Sequence, residues 1–259
     1  MKYIDTHSHL YAKQFEKDQA EVIRRAKNTL EAVYLPNIDL DSIAAMHDLT
    51  EKDPQFFFPM MGLHPCSVDQ NFEQVLAKME SYFAERQYYG IGETGIDLHW
   101  DTTYAEEQKA ALLIQVDWAK KYNLPLILHC RKALDLVIEM MEKEYDENLK
   151  GIFHCFDGTV EQAKRIEAMP NFKMGIGGVV TYKTSTLPEV LSQISVESLV
   201  LETDSPYLPP HPHRGKRNES SYTLLVAEKL ADIYDLNLLQ IGKITNENAM
   251  WLFTKSANN

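Results

Sequence analysis

Pro125-Leu126-Ile127-Leu128-His129 is a short apolar run that ends on a histidine. Ahead of it, Ala111, Ile114, Trp118 and Tyr122 recur close to every 3.6 residues, the period of a helix with one buried face. Strand-like runs of the same kind recur at 2–5, 32–36, 57–61, 88–92, 151–154, 172–176 and 199–202, which with 125–129 makes eight. Helical patterns lie between them, as at Phe15, Val22, Ile23, Ala26 and Leu30, and two closing helices are expected within 222–234 and 246–253. Strands alternating with helices imply a parallel sheet. Eight such units in about 250 residues match a closed (β/α)8 barrel of the TIM type. A doubly wound open sheet is the alternative, but no Gly-x-Gly-x-x-Gly turn follows the first run. No linker or internal repeat interrupts the pattern, so a single domain over 1–259 is expected.

Composition narrows the function. The chain is 44% hydrophobic and 25% charged, ordinary for a soluble globular protein. Gly, Pro and Cys are too few for disorder, collagen or a disulfide scaffold. No apolar run approaches the roughly 20 residues that span a bilayer, so no membrane partner is expected. The first residues carry no secretory pattern, and Cys66, Cys130 and Cys155 lack zinc-type spacing. Reduced thiols in a cytoplasm are the expectation. With 26 Lys+Arg against 38 Asp+Glu, the net charge of −12 argues against wrapping duplex nucleic acid. It leaves room for an enzyme that takes one phosphate into a metal-lined pocket. No obligate protein partner is evident.

The residues suited to chemistry gather at one end of these runs. His7 and His9 end the first, Glu93 the fourth, His129 the fifth and His154 the sixth; Asp204 follows the eighth, and His64 lies just beyond the third. In a barrel these ends converge on one mouth. His7 and His9 are two apart, so on a strand both point the same way. Imidazoles with carboxylates and no thiolate suit zinc, manganese, iron and similar ions. Six ligands exceed the needs of one tetrahedral ion, and two metals bridged by Glu93 is the economical reading.

Any one of these histidines taken alone reads as a hydrogen-bonded core residue. Their convergence on one rim is what argues for ligation. Asp5 and Glu202 share the inward face and are expected to orient ligands. Cys130 and Cys155 directly follow ligand histidines, so alternation turns them toward the helix layer as packing residues. His47 falls within a helical pattern and is expected at the surface.

The loop 205–221 is the richest in the chain, with Pro206, Pro209, Pro210 and Pro212. It carries the densest basic stretch, including Arg214, Lys216 and Arg217, and Arg131 lies on the same rim as His129. Guanidinium groups grip phosphate oxygens in pairs, which points to an anionic substrate.

Together these residues resemble the TatD family of metal-dependent deoxyribonucleases, within the wider metallo-hydrolase barrels. The resemblance runs through Asp5-Thr6-His7-Ser8-His9, Gly62-Leu63-His64-Pro65, Gly92-Glu93-Thr94-Gly95-Ile96-Asp97 and His129-Cys130-Arg131. It continues through Phe153-His154-Cys155-Phe156-Asp157-Gly158, Glu202-Thr203-Asp204-Ser205-Pro206-Tyr207-Leu208 and Arg217-Asn218-Glu219. It implies a TIM-type barrel, a divalent metal centre and phosphodiester hydrolysis, with exonuclease action on DNA ends. By matched position the ligands would be His7, His9, Glu93, His129, His154 and Asp204, with His64 holding or polarising the phosphate. Tyr11, Lys132, Leu98 and Ser220 depart from residues common in relatives, and none is a proposed ligand.

The expected reaction is hydrolysis by a metal-activated water, with Asp204 taking its proton. His64 would offset phosphoryl charge, while Arg131 and the Arg214–Arg217 loop hold a flanking phosphate. Two other classes compete. One is an amide or lactone hydrolase on the same barrel, although its frequent strand-four lysine is replaced here by Glu93. The other is a non-catalytic, metal-stabilised binding protein. Which ion is used (Zn²⁺, Mg²⁺ or Mn²⁺) depends on availability.

Overall fold

A computed structural model describes residues 1–254. Eight parallel strands run in chain order: β1 (Tyr3–Asp5), β2 (Leu30–Pro36), β3 (Phe57–Met60), β4 (Ile91–Asp97), β5 (Leu126–Arg131), β6 (Gly151–Phe153), β7 (Phe172–Ile176) and β8 (Leu199–Leu201). The ladders join β1–β2–β3 and β4 through β8 as two sheets. Backbone bonds across two seams close them into a ring. Met61 N–H donates to Gly90, and Gly92 N–H to Met61, between β3 and β4. Thr6 N–H donates to Leu201, Asp204 N–H to His7 and His9 N–H to Ser205 between β8 and β1. Each strand thus has neighbours on both sides, which satisfies the backbone groups an open edge would leave bare.

Helices α1 (Gln19–Thr29), α2 (Ser42–Lys52), α3 (Phe72–Ser81), α4 (Ala105–Tyr122), α5 (Leu134–Glu144), α6 (Val160–Glu167) and α7 (Leu187–Leu191) lie between the strands. Two more, α8 (Thr223–Tyr234) and α9 (Leu238–Phe253), follow β8. Thr159 and Asn237 start α6 and α9 with reciprocal caps to Gln162 and Gln240. No helix among the described residues is long and apolar enough to cross a membrane.

Strand alternation separates two apolar layers. Ile4, Ala32, Tyr34, Met60, Ile127, Ile152 and Val200 form one cluster with Ala249, Leu252 and Phe253 of α9. The rings of Tyr34 and Phe253 stack with centroids 3.6 Å apart, so α9 seals the end of the barrel opposite the strand termini. The second layer holds the outward faces of the strands against the helices.

β4 differs most from its expected span. The run at 88–92 becomes a strand that begins at Ile91 and continues through buried Glu93 and Thr94 to Asp97. Its register against β5 slips between Ile91 and Thr94, a bulge of the kind that re-aims side chains beside active sites. Gly95 makes this possible. At φ +138°, a Cβ there would lie 2.0 Å from the His129 carbonyl oxygen, so only glycine lets β4 approach β5 so closely. Glu93 therefore sits inside a strand rather than at its end.

His47 is a second correction. On α2 it is buried, with Nε2 2.8 Å from the Tyr88 hydroxyl. A polar partner inside the helix layer satisfies the imidazole there.

Candidate metal centre

Glu93 is the hub of the barrel mouth. Its Oε2 lies 3.2 Å from His7 Nε2 and 3.4 Å from His9 Nε2. Its Oε1 lies 2.8 Å from His129 Nδ1 and 3.7 Å from His154 Nε2, with His64 Nε2 at 3.4 Å. Asp204 Oδ1 joins the first group, 3.7 Å from His7 and 3.5 Å from His9, and stands 3.9 Å from His154. All seven residues thus meet within one cluster, from sequence positions almost 200 apart. Asp204 has φ +55°, a left-handed backbone that aspartate tolerates and that turns its carboxylate back toward the mouth.

The donor set fits divalent cations. Ligand atoms around an ion with bonds of about 2.0–2.1 Å stand roughly 3.0–3.4 Å from one another. The separations here span 2.8 to 3.9 Å, and the His7 and His9 Nε2 atoms face each other at 3.1 Å. His7, His9, Asp204 and Glu93 Oε2 could hold one ion, and His129, His154 and Glu93 Oε1 a second.

Hydrogen bonds behind the rings decide which nitrogens face inward. His9 Nδ1 lies 2.9 Å from the Tyr11 hydroxyl, which donates onward to the Pro36 carbonyl. The hydroxyl must then accept from Nδ1–H, leaving a lone pair on Nε2. Asp97 Oδ2 holds His129 Nε2 at 2.9 Å, leaving Nδ1 for the hub. Glu202 lies behind His154, with Oε1 3.0 Å from Nδ1, and also accepts from the Cys155 N–H. The His154 contact is off line for a hydrogen bond, and His7 Nδ1 and Glu202 Oε2 have no hydrogen-bond partner among the described residues. His64 is opposite in character. Its Nδ1 accepts from the Cys66 N–H at 3.0 Å, so the ring proton sits on Nε2, facing Glu93. That makes His64 a donor to an oxygen anion.

Charge follows from this packing. Burial alone would push the Glu93 carboxyl up, but the histidines around it outweigh burial and hold it well below the usual range. Asp204 is held down against burial by His9, His154 and His7. Burial opposes charge on His129 and His154 too, yet carboxylates (Asp97 and Glu93 for one, Glu202 for the other) raise both to about 9. Burial and the neighbouring His154 push His7 down.

Above the hub opens a cavity of about 790 Å³ lined in part by His64, Trp100, Arg131, Asp157, Asp204 and Tyr207. Of the residues expected to bind substrate, His64 and Arg131 line it, while Arg214, Lys216 and Arg217 do not. Arg217 needs correction as a phosphate holder. Its guanidinium donates to both oxygens of Asp18 at 2.7 Å and to Glu219 at 3.2 Å, over the Phe15 ring. Arg25 also grips Glu219, so Arg217-Asn218-Glu219 ties the last loop to α1.

Of the two cysteines, Cys130 packs against the helix-layer core as expected, and Cys155 departs from expectation. Cys130 and Cys155 both line the cavity. At φ +51°, Cys155 breaks the strand alternation that would have turned it outward. Asp5 binds the β1–β8 seam rather than a ring, accepting from the His7 and Thr203 N–H groups and from the Thr203 hydroxyl. Ser220 completes a buried hydroxyl triangle with Ser8 and Ser205 on the same seam. Asp97 and Tyr11 act on ligand rings and were not foreseen. Nor was Gln115 of α4, which clamps Leu63 and Thr94 behind the site. Gln108 and Gln115, seven apart on one helix face, were the readable signal for that clamp.

Residues 4–254 match the family model described as TatD related DNase. The chain belongs to the TatD family. It is 40% identical over 252 residues to the uncharacterized metal-dependent hydrolase YabD of Bacillus subtilis, covering 96% of this chain and 98% of that one. It is 29% identical over 256 residues to the uncharacterized metal-dependent hydrolase YjjV of Escherichia coli, covering 97% and 98%. The crystal structure of that TatD homologue superposes with a TM-score of 0.90 at 27% identity, over 97% of each chain. A TatD family hydrolase from Entamoeba histolytica, at 22% identity and a TM-score of 0.82 over 99% of each chain, shares the fold. The (β/α)8 barrel and a metal-dependent hydrolase follow for this TatD family chain.

Proposed function

We propose that this hydrolase cleaves phosphodiester bonds of DNA, acting at strand ends, with two divalent ions held around Glu93. One observation carries the reading: the two oxygens of a single buried carboxylate face separate groups of ring nitrogens. Ions held there by His7, His9, Glu93, His129, His154 and Asp204 would lower the pKa of water and offset charge on the phosphoryl oxygens.

The remaining roles fall to side chains of this chain. Asp204 borders both the hub and the cavity and takes the proton of the attacking water. His64 donates from Nε2 to a phosphoryl oxygen, a charge-stabilising contact in a shielded site. Arg131 holds the flanking phosphate through paired N–H donors. Arg214 and Lys216, exposed on the loop after β8, meet phosphates further along the strand. A net charge of −12 leaves few such contacts, so binding depends weakly on salt.

The test is hydrolysis of a 3′-labelled single-stranded DNA beside a panel of cyclic amides, with Mg²⁺, Mn²⁺ or Zn²⁺ restored to metal-free protein. Shortening of the DNA only when metal is present supports the proposal. Turnover of an amide but not DNA favours the amide hydrolase class. Inactivity toward both, and toward a generic chromogenic phosphodiester, favours a binding protein.

A further inference from the structure

Five of the seven arginines grip carboxylates. Among the described residues the other two lie over aromatic rings: Arg214 over Tyr182 at 3.7 Å and Arg131 over Trp100 at 5.0 Å. Only the second pair lines the cavity above Glu93. Trp100 sits three residues beyond Asp97 in the loop after β4, and Arg131 sits two residues beyond His129. The platform they form is therefore anchored directly to the strand ends that hold the hub.

Trp100 is 72% exposed, the most exposed large apolar side chain among the described residues. An indole kept in water at a site mouth has a free face for a planar partner. Arg131 stacks against it and orients it, and His99 meets it edge-on at 4.7 Å. The cavity is of a size that encloses a small ligand rather than two paired strands. A chain of net charge −12 gains little from phosphate contacts alone. Base stacking supplies attraction that does not depend on net charge and tolerates any base.

We propose that Trp100, backed by Arg131, is a stacking platform for an unpaired nucleobase beside the scissile phosphate, so that the substrate end is single-stranded or frayed. The inference rests on the phosphodiesterase reading above and assigns how that site selects its substrate. Stacking holds the base, while the Arg131 guanidinium reaches the adjoining phosphate.

The experiment compares Mn²⁺-loaded wild type, Trp100→Ala and Trp100→Phe on two single-stranded oligonucleotides. One carries normal terminal bases, and the other carries abasic tetrahydrofuran residues at the same positions. Wild type should prefer the base-bearing strand by about tenfold or more in kcat/KM. Trp100→Ala should lose that preference, its kcat/KM on the base-bearing strand falling to its own value on the abasic strand, and Trp100→Phe should keep most of it. Quenching of tryptophan fluorescence by the base-bearing strand should also disappear in Trp100→Ala. Cleavage with the preference intact in Trp100→Ala overturns this inference and leaves the phosphodiesterase reading standing. Trp100-dependent quenching without any cleavage keeps the platform and overturns the phosphodiesterase reading. Neither cleavage nor quenching overturns both.

Discussion

The hydroxyl of Tyr11 stands 2.9 Å from Nδ1 of His9 and donates its own proton to the Pro36 carbonyl. One oxygen thus dictates which nitrogen of His9 faces Glu93. Tyr11→Phe keeps the ring and removes this control. Metal affinity should fall by about 10- to 100-fold, the usual cost of losing a contact behind a ligand. Competition with a metal-sensitive dye reads it, and an unchanged affinity would dismiss the role.

Asp204 is the residue assigned to proton transfer. Asp204→Asn keeps the size and removes the base, so turnover should fall by at least about 10²-fold, with the circular dichroism spectrum unchanged. Near-normal turnover in this variant would transfer the role elsewhere.

Metal affinity should depend steeply on pH. His129 and His154 are raised to about 9 in the metal-free site, while Glu93 and Asp204 stay ionised. Metal must displace the ring protons of His9, His129 and His154, so affinity should climb by about 100-fold or more per pH unit between about 6.5 and 9. Stability of the metal-free protein should run the other way. A histidine with a raised folded pKa stabilises fully below about 6.5, and that contribution is lost as pH rises through 9. Calorimetric titrations at pH 6.5, 7.5 and 8.5 measure the first trend, and thermal unfolding of metal-free protein measures the second. A flat affinity profile would contradict the charge assignment.

Arg217 holds Asp18 and Glu219 rather than substrate. Arg217→Ala should cost about 1–2 kcal/mol, discounted for its partial exposure. That lowers the melting temperature by several degrees in a chain of this size. The kcat/KM for a dinucleotide should change little. A large loss of kcat/KM with stability intact would restore Arg217 to the substrate.

The barrel was legible because each strand is an apolar run and each crossover has helical periodicity. The ligand set was legible because those residues interrupt apolar runs at matching ends. What escaped detection depends on partners chosen by the fold. Glu93-Thr94-Gly95 reads as the close of a strand, yet the bulge and Gly95 carry β4 on to Asp97 and bring that carboxylate to His129. Arg217 reads as a phosphate grip because Asp18 lies 199 residues away in sequence. Cys155 reads as outward-facing because alternation assumes an extended backbone, and φ +51° breaks it. His47 and Tyr88 form a buried pair that neither segment announces alone.

Counting bound metal by mass spectrometry, in wild type and in Glu93→Ala, tests the bridging role of Glu93 most directly. Reconstituted wild type should hold two divalent ions per chain, and loss of the shared carboxylate should reduce this to one or none. A single ion in wild type, or two retained in Glu93→Ala, would contradict the account.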